Sequence, residues 1–491
     1  MVSSRGSGPS GKAPPKSSGI TVLVVGCGIG GLATVIECQR KGHNVIAVDQ
    51  QPELRPIGDS IGIASNAAGV VYKWGEGSVD AALAPLINLP DVMNICDSSG
   101  NVYVKSGMAG YGAGHGYPCH RGEAAMVFYE YARSLPGVEF RLGHRITDYW
   151  ETEDKAGITI NGEKIVADCV IAADGVHSKA RKYVTGDGGA PHTSGYAMYR
   201  AWFDAEEVAA DPASRWIVAD TEGRDRDNTW VFIGPDIHCL LGTAKGGKEV
   251  FWMCTHQDVF DIGESWSFPG KVEDMLKYVA DWPMLPKLKA VVEKTPPGRL
   301  IDFKLLWRDP LKTWISPAGR IMLIGDAAHP YLPTSGQGAG QAIEDAATVA
   351  IALELAGAKN VKKGLRTAEK LRYQRACKIQ RMGIETRDAW HKTDWSAVGK
   401  NTAMLEMPRP DWIFGFDCQK YAYDEFDKAL EAVEKGTEYV PHNIPPDDVN
   451  HRTQDFRASE TLAQRAKLTA VAVQQELGTA PKNGEFLRSK L

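Results

Sequence analysis

Near the start of this 491-residue chain stands Val22-Leu-Val-Val-Gly26-Cys-Gly28-Ile-Gly-Gly31, an apolar run that leads into a G-x-G-x-x-G pattern. Such a pattern is typical of the strand, tight turn and helix that open a dinucleotide-binding fold. Gly26 and Gly28 allow the turn and a close backbone approach, and Gly31 lets the helix pack on the strand. We expect a strand over 20–25, a helix over 31–41 and a second strand over 44–48. That strand ends at Asp49, where a carboxylate can bind ribose hydroxyls. The pattern by itself fits both NAD and FAD.

Two later segments choose between these cofactors. The chain reads Asp168-Cys-Val-Ile-Ala-Ala-Asp174-Gly175 and, further on, Ile321-Met-Leu-Ile-Gly325-Asp326-Ala-Ala-His329-Pro330-Tyr-Leu-Pro333. Each segment has the pattern of a buried strand that closes on a turn. The ordered set G-x-G-x-x-G, D-G and G-D resembles the group A flavoprotein monooxygenases over about residues 20–390. The resemblance implies an α/β fold: a Rossmann-like FAD-binding domain of the p-hydroxybenzoate hydroxylase type, an inserted antiparallel-sheet substrate domain and C-terminal helices.

The resemblance also implies how the cofactors bind. FAD occupies the one dinucleotide fingerprint, Asp326 hydrogen-bonds a ribityl hydroxyl, and residues 333–339 lie against the isoalloxazine. Arg121 reaches the ribityl or isoalloxazine region, and Asp174 belongs to a motif that serves both FAD and the reduced nicotinamide cofactor. NADPH or NADH therefore binds transiently as reductant, and O2 is the co-substrate. The residues predicted to bind FAD are Gly26, Gly28, Gly31, Asp49, Gly62, Arg121, Asp174, Gly325, Asp326, Gly338 and Ala339.

Changes in sequence texture divide the chain into five predicted segments. They are a disordered lead-in (1–19), a first FAD-binding part (20–193), a substrate domain (194–312), a second FAD-binding part (313–395) and a C-terminal extension (396–491). Short alternating runs at 198–203, 229–233, 237–241 and 250–254 predict an antiparallel sheet in the substrate domain. Helices are expected over 121–134, 338–355 and about 368–386, and Asn66 is expected to cap a helix that reaches residue 74.

Three short segments narrow the resemblance. They are Ser194-Gly-Tyr196-Ala-Met-Tyr199-Arg200-Ala, Phe251-Trp-Met-Cys-Thr-His256-Gln-Asp258 and Asp411-Trp412-Ile-Phe-Gly415-Phe-Asp417. They are similar to fungal enzymes of secondary metabolism that oxidise the indole of prenylated indole alkaloids, some of them forming spiro-oxindoles. The implied reaction passes oxygen from a flavin C4a-hydroperoxide to the indole C2=C3 bond, and epoxide opening with a 1,2-shift gives the spiro-oxindole.

The catalytic candidates are two arginines. Ring opening needs a donor to the departing oxygen, and Arg200 is the candidate because arginine stays protonated near neutral pH. Arg121 is the second catalytic candidate, through its place beside the flavin. Arg200 is expected to act as a positioned hydrogen-bond donor rather than as a titrating acid.

The candidate substrate pocket is apolar and aromatic. The aromatic candidates for the wall of a site for a flat polycycle are Trp202, Trp216, Trp230, Phe232, Phe251 and Trp252. Only two or three of them are expected to touch the substrate, because aromatic side chains on half-buried strands more often belong to the core. The residues assigned to the pocket are Trp202, Trp216, Phe232 and Trp252. Phenol-hydroxylating relatives commonly pair the arginine with a tyrosine in this sheet, but residues 201–277 contain no tyrosine. A salicylate-hydroxylase-like enzyme acting on a phenolic or polyketide substrate remains the alternative, and a non-catalytic FAD-fold carrier protein is the alternative from a different class.

Composition argues against several other classes of protein. A net charge of -5, a pI near 6.2 and no concentrated Lys/Arg block argue against a nucleic-acid partner. Nine cysteines without a C-x-x-C pair suggest neither a zinc site nor a disulfide framework, so no metal is expected. No apolar run has membrane-spanning length. The terminal Ser489-Lys490-Leu491 matches the signal that the peroxisomal import receptor reads, so we expect a peroxisomal protein, with the cytoplasm as the alternative.

Overall fold

The computed structural model describes residues 16–445, except 109, 112–115, 187–191, 220, 222–225, 259–267, 394, 399–401 and 408. Ser489, Lys490 and Leu491, most of the lead-in and the last part of the C-terminal extension lie outside the described residues. The peroxisomal signal therefore stays a prediction.

The described residues contain seventeen strands, numbered here in chain order. They are β1 (Thr21–Val25), β2 (Asn44–Val48), β3 (Ser60–Ile63), β4 (Pro90–Asp97), β5 (Val102–Gly107), β6 (Tyr117–His120), β7 (Val138–Arg141), β8 (Asp148–Glu151), β9 (Ala156–Ile160), β10 (Glu163–Ala167), β11 (Cys169–Ala172), β12 (His192–Asp204), β13 (Asp227–Gly234), β14 (Ile237–Ala244), β15 (Glu249–Gln257), β16 (Ile301–Trp307) and β17 (Ile321–Leu323).

The same residues contain thirteen α-helices and seven short 3₁₀ turns. The helices are α1 (Ile29–Arg40), α2 (Ser65–Val71), α3 (Ser78–Leu83), α4 (Arg121–Arg133), α5 (Lys179–Thr185), α6 (Glu206–Ala210), α7 (Val272–Tyr278), α8 (Leu285–Val292), α9 (Gly338–Ala356), α10 (Val361–His391), α11 (Trp395–Val398), α12 (Asp411–Phe414) and α13 (Cys418–Lys435). The 3₁₀ turns are Trp74–Gly77, Ala84–Leu86, Arg215–Ile217, Gly325–Ala327, Pro333–Ser335, Ala358–Asn360 and Thr402–Leu405.

A five-stranded parallel sheet, ordered β17-β11-β1-β2-β7, places the sequence motifs side by side. Residues 22–25 of β1 are all buried, as expected for a parallel strand that is covered on both faces. The carboxyl ends of parallel strands meet at one edge of a sheet, so the turns that follow β1, β11 and β17 meet there. The predicted β1-α1-β2 start and the α/β fold are confirmed.

A seven-stranded sheet, ordered β16-β12-β15-β14-β13-β4-β5, forms the second layer. Its pairs are antiparallel except for β13 with β4, which confirms the predicted antiparallel strands. β4 and β5 come from segment 20–193, which the sequence analysis assigned wholly to FAD binding. The chain therefore contributes two strands to the larger sheet before the nucleotide-binding part is complete.

The predicted N-cap at Asn66 is wrong. The helix α2 is capped by the backbone of Ala64 and begins at Ser65, and the Asn66 side chain is buried inside it. Its amide Nδ2 donates to Glu344 Oε1 at 2.6 Å and to Gln337 Oε1 at 3.0 Å. Asparagine is a common N-cap residue, but here the side chain bonds to acceptors on residues far along the chain instead of capping the helix.

Two features are absent from the described residues. Every helix among them is too short or too polar to cross a lipid bilayer. Within the same residues, no three His, Cys, Asp or Glu side chains are grouped so as to hold a metal ion.

Candidate functional site

The turn between β1 and α1 needs glycine at two positions for different reasons. Gly26 has a φ of +93°, and a Cβ there would lie 2.5 Å from the carbonyl oxygen of Ala173. A Cβ on Gly31 would lie 1.8 Å from the carbonyl oxygen of Gly26, so only glycine lets the helix approach the strand this closely. A Cβ on Gly28 would meet nothing nearer than Arg121 Nη2 at 3.8 Å, which leaves the backbone open on the cavity side.

Asp49 lies beside this turn, at the end of β2. Its Oδ2 accepts from the backbone N–H of Cys27 at 2.7 Å, and its Oδ1 accepts from that of Gln51 at 2.8 Å. These bonds fix the carboxylate next to the glycine turn. Each carboxylate oxygen can accept a further hydrogen bond, so the arrangement is compatible with the ribose contact that the sequence predicts.

The buried carboxylate of Asp345 holds the Gly325–Asp326 turn in place. Asp345 Oδ2 accepts from the N–H of Gly325 at 3.0 Å and lies 2.7 Å from His329 Nε2. Asp345 Oδ1 accepts from Arg372 Nε at 2.8 Å. Burial alone would raise the pKa of Asp345, but His329 and Arg372 hold it well below its usual range. Asp345 therefore stays ionised and fixes the turn that carries Asp326.

Glu344 extends this buried network. It is ion-paired with both Arg372 and Arg375, and it accepts from the Asn66 amide. Burial would raise the pKa of Glu344, yet the two guanidinium groups lower it. Glu344, Arg372 and Arg375 are not among the site residues predicted from the sequence. The sequence signal for this network is the pair of acidic residues, Glu344 and Asp345, inside the apolar helix α9. Because an unpaired buried charge is costly, two such carboxylates predict basic partners nearby.

One cavity of about 440 Å³ lies between the motif turns and the seven-stranded sheet. Volumes of this size are usual for small-molecule sites. Its lining includes seven of the predicted cofactor residues, namely Gly28, Gly62, Arg121, Gly325, Asp326, Gly338 and Ala339.

The other four predicted cofactor residues do not line the cavity; they are Gly26, Gly31, Asp49 and Asp174. Gly26, Gly31 and Asp49 shape or flank the first turn. The Asp174 carboxylate points elsewhere: its Oδ2 accepts from Tyr149 Oη at 3.0 Å and from the N–H of Lys179 at 3.1 Å. Burial raises the pKa of Asp174. The next residue, Gly175, reaches the cavity instead.

The two candidate arginines line this cavity and share an aspartate. The ion pair between Arg200 Nε and Asp59 Oδ2 measures 3.0 Å, and the Arg200 guanidinium lies 5.1 Å from the ring centre of Phe303. Arg121 begins α4, and its Nη1 donates to the carbonyl of Ile57 at 3.3 Å. Burial lowers the pKa of Arg121, which Asp326 and Asp59 oppose. Burial also raises the pKa of Asp59, although Arg200 and Arg121 counteract it.

Alternate residues of the larger sheet face opposite ways. We call the side that lines the cavity the cavity face, which carries Met198, Arg200, Met253 and Phe303. We call the other side, which packs against α7 and α8, the packed face; Tyr199, Ala201, Trp252 and Phe232 lie on it.

The predicted aromatic wall therefore needs correction. Phe232 and Trp252 belong to the core of the packed face, and the half-buried Trp216, in the 3₁₀ turn Arg215–Ile217, packs against that core. None of the three lines the cavity. Trp202 is on the cavity side of β12 but lies behind Phe251, with ring centres 4.8 Å apart and planes 14° apart. Phe251 itself reaches the cavity. Strand alternation shows which residues share a face, but not which face meets a ligand.

FAD fits the residues that are present. The helices α1 and α9 both begin at the cavity, and neither has a side-chain N-cap or an acidic residue in its first turn. Such N-termini favour negative charge, so that of α1 would suit a pyrophosphate and that of α9 would suit the electron-rich edge of a flavin. Between them the Asp326 carboxylate offers an acceptor for a ribityl hydroxyl. The phosphate, hydroxyl and flavin groups of a bound FAD would each find a suitable partner.

The fold and the site define a flavoprotein, and comparisons with known proteins identify its kind. Residues 314–382 match the family described as "FAD binding domain". Asperlicin C monooxygenase of Petromyces alliaceus is 43% identical over 445 residues, covering 90% of this chain and 96% of the relative. Notoamide E oxidase notB' of Aspergillus versicolor is 38% identical over 442 residues, covering 89% and 96%. The crystal structure of CtdE with FAD and a substrate is 42% identical, with a TM-score of 0.80, and covers 84% of this chain and 100% of that one.

The chain belongs to the family of fungal FAD-dependent monooxygenases. It is an enzyme, and its cofactor is FAD.

Proposed function

We propose that this monooxygenase consumes NADPH or NADH and O2 to oxidise the indole C2=C3 bond of a prenylated indole alkaloid, with rearrangement to a spiro-oxindole. The similarity to enzymes of fungal indole alkaloid pathways supports the substrate class. When bound and reduced, FAD would activate dioxygen and supply the oxygen atom. The residues of the chain then bind the indole, exclude water and handle the departing oxygen.

The observation that carries the proposal is Arg200 in an otherwise largely apolar wall. The guanidinium is flanked on the cavity face by Met198, Met253 and Phe303. Its ion pair with Asp59 fixes its orientation. An arginine in such a place is a positioned donor that stabilises negative charge on oxygen as an epoxide C–O bond breaks, because it remains protonated.

The apolar wall has a second task. Water in the site would divert activated oxygen to hydrogen peroxide, so the cavity must stay dry during transfer. Methionine, leucine and phenylalanine side chains on the cavity face offer water few hydrogen-bond partners. They also match the flat apolar surface of an indole polycycle.

The tyrosines argue against a phenolic substrate. Among the lining residues that the structure describes, the tyrosines are Tyr111 and Tyr331. Tyr111 donates its hydroxyl to the carbonyl of Gly336 at 2.6 Å, and Tyr331 donates to that of Ala376 at 2.8 Å. Both hydroxyl hydrogens are already used, so neither residue is placed to donate to a phenolate. The phenol hydroxylase alternative loses the pairing on which it depends.

Product analysis of the purified yellow protein tests the proposal. With NADPH or NADH and a panel of indole alkaloids and phenols, we expect substrate-dependent oxygen consumption and products heavier by one oxygen atom from indoles. Turnover of phenols alone would establish the alternative substrate class. If no substrate of the panel increases oxygen consumption, the carrier-protein alternative is favoured.

Asp326→Ala tests the cofactor site directly. We expect nearly colourless protein, because the acceptor for the ribityl hydroxyl is removed at the centre of the cavity. The matched control is Asp281→Ala, which removes an exposed carboxylate between α7 and α8 and should remain yellow. The ratio of flavin to protein absorbance measures both. Full flavin occupancy in Asp326→Ala would refute the assigned role.

A further inference from the structure

The C-terminal extension supplies part of the cavity wall. Met407 and Arg409 both line the cavity. The segment that follows them is anchored to the FAD-binding core, because Arg375 Nη1 donates to the carbonyl of Trp412 at 2.6 Å and Ser65 Oγ donates to that of Phe414 at 2.6 Å. Arg409 is therefore presented by a fixed backbone.

The Arg409 guanidinium is held in place, but two of its nitrogen atoms have no hydrogen-bond acceptor among the described residues. It lies 5.9 Å from the ring centre of Tyr111, whose ring in turn meets the edge of Phe414 at 5.5 Å. Its Nη1 donates to the carbonyl of Gly107. Its Nε and Nη2 are buried and have no hydrogen-bond partner among the described residues. Buried guanidinium N–H groups without acceptors are costly.

Two other cations of the cavity form ion pairs, unlike Arg409. Arg200 is paired with Asp59 at 3.0 Å, and Lys304 Nζ lies 3.2 Å from Asp258 Oδ2. Arg409 forms no ion pair with any carboxylate that the structure describes. Burial lowers its pKa, but arginine remains protonated in proteins. A cation left with spare donors at the wall of a ligand cavity points to an acceptor on the ligand.

We propose that Arg409 binds a carbonyl oxygen that the substrate carries beside its indole, and so selects among indole substrates. The indole part of this statement rests on the proposed function. A neutral carbonyl oxygen suits the site better than a carboxylate, because the lining of the cavity as a whole is largely apolar and would not replace the water around a second full charge. Arg409 thereby determines which indoles bind, while Arg200 serves the reaction.

Binding measurements on the FAD-loaded enzyme test this role. The probes are 3-methylindole, N-acetyl-L-tryptophanamide and N-acetyl-L-tryptophan, and the flavin absorption change reports the Kd. We expect the amide to bind more tightly than 3-methylindole, and Arg409→Met to weaken amide binding by roughly 10- to 100-fold. Binding of 3-methylindole should change by less than about 3-fold. Arg409→Lys should recover part of the loss, because it keeps a charged donor.

Several outcomes would overturn the assignment. They are equal losses for the amide and for 3-methylindole, loss of flavin from Arg409→Met, and tighter binding of the carboxylate probe than of the amide. Arg133→Met is the matched control, since Arg133 is an exposed arginine of α4 that pairs with Glu130 outside the cavity. It should leave every Kd unchanged.

A phenolic pair separates this proposal from the proposed function. The probes are 4-methylphenol and N-acetyl-L-tyrosinamide. If only the phenolic amide shows the dependence on Arg409, the carbonyl contact stands and the indole assignment fails. If neither amide binds the unaltered enzyme more tightly than its carbonyl-free partner, the Arg409 contact itself is refuted.

Discussion

The two faces of the seven-stranded sheet are built from the same strands but have different surroundings: one lines the cavity, and the other packs against helices. On β12 the cavity face carries Met198 and Arg200, whereas the packed face carries Tyr199 and Ala201. Helices α7 and α8 fill the space against the packed face, but the cavity face is left open. Adjacent residues of one strand therefore serve stability and ligand binding separately.

This separation has an energetic basis. Trp252 on the packed face is fully buried, and its Nε1 donates to Thr295 Oγ1 at 2.9 Å, so both its ring and its polar atom are satisfied. Arg200 on the cavity face is also buried, but its charge is offset there by Asp59. A buried ion pair seldom improves stability over an apolar pair. The cavity face thus contains a buried ion pair where an apolar pair would be at least as stable.

Trp252→Ala should show the largest effect and act on stability alone. Loss of a fully buried tryptophan should lower the free energy of unfolding by about 3–5 kcal/mol. Urea unfolding followed by circular dichroism measures this, and Trp252→Phe should lose less. Once the amount of folded yellow protein is matched, kcat should remain within about 2-fold. A large change in KM or product would show that the packed face does reach the substrate.

Arg200→Met should show the reverse behaviour. The substitution keeps the length of the side chain but removes its donors, so kcat should fall by roughly 100- to 1000-fold, as for loss of an oxyanion donor. Flavin content should stay unchanged. Because Asp59 would lose its ion-pair partner, Arg200→Met alone should also be less stable, and the double variant with Asp59→Asn should recover stability without turnover. Full activity in Arg200→Met would show that the arginine is only structural.

The contrast also separates what the sequence could predict from what it could not. The strand, turn and helix around Gly26 and Gly31 are local, because the apolar run and the steric need for glycine lie within one short segment. The Gly325–Asp326 turn follows a buried strand in the same way. Their meeting at one sheet edge follows from parallel strand pairing.

The wall of the cavity was beyond such reasoning. The pattern of β15 shows that Phe251 and Met253 share one face and Trp252 the other, but only the packing of α7 and α8 decides which face is covered. Phe303 joins Arg200 through strand pairing between β16 and β12, and Arg409 comes from the C-terminal extension, just outside the segment 411–417 that resembles the fungal enzymes. Side chains brought together from distant segments leave no local pattern in the sequence.

Asp59→Asn should give the smallest effect and tests the electrostatics of the cavity face. Burial raises the pKa of Asp59 above its usual 3.8. As the pH falls through this raised value, the carboxylate is neutralised and Arg200 loses its counter-charge. We therefore expect an acid limb in the pH profile of kcat that begins above pH 3.8. Asp59→Asn should lack this limb, and at neutral pH its kcat should be lower by a few-fold, which corresponds to about 1 kcal/mol of activation free energy.

The contribution of Asp59 to the free energy of unfolding should change with pH in the opposite direction to kcat, which makes the test specific. Between the usual pKa of an aspartate and the raised value in the fold, the folded state holds a proton that the unfolded state has released. Stability from this group is therefore present below the unfolded value and is lost as the pH rises through the folded value. Asp59→Asn should remove that decline in urea unfolding, whereas a substitution on the packed face, such as Trp252→Phe, should leave it in place. An acid limb that persists in Asp59→Asn would assign the titration to another group and separate Asp59 from the work of Arg200.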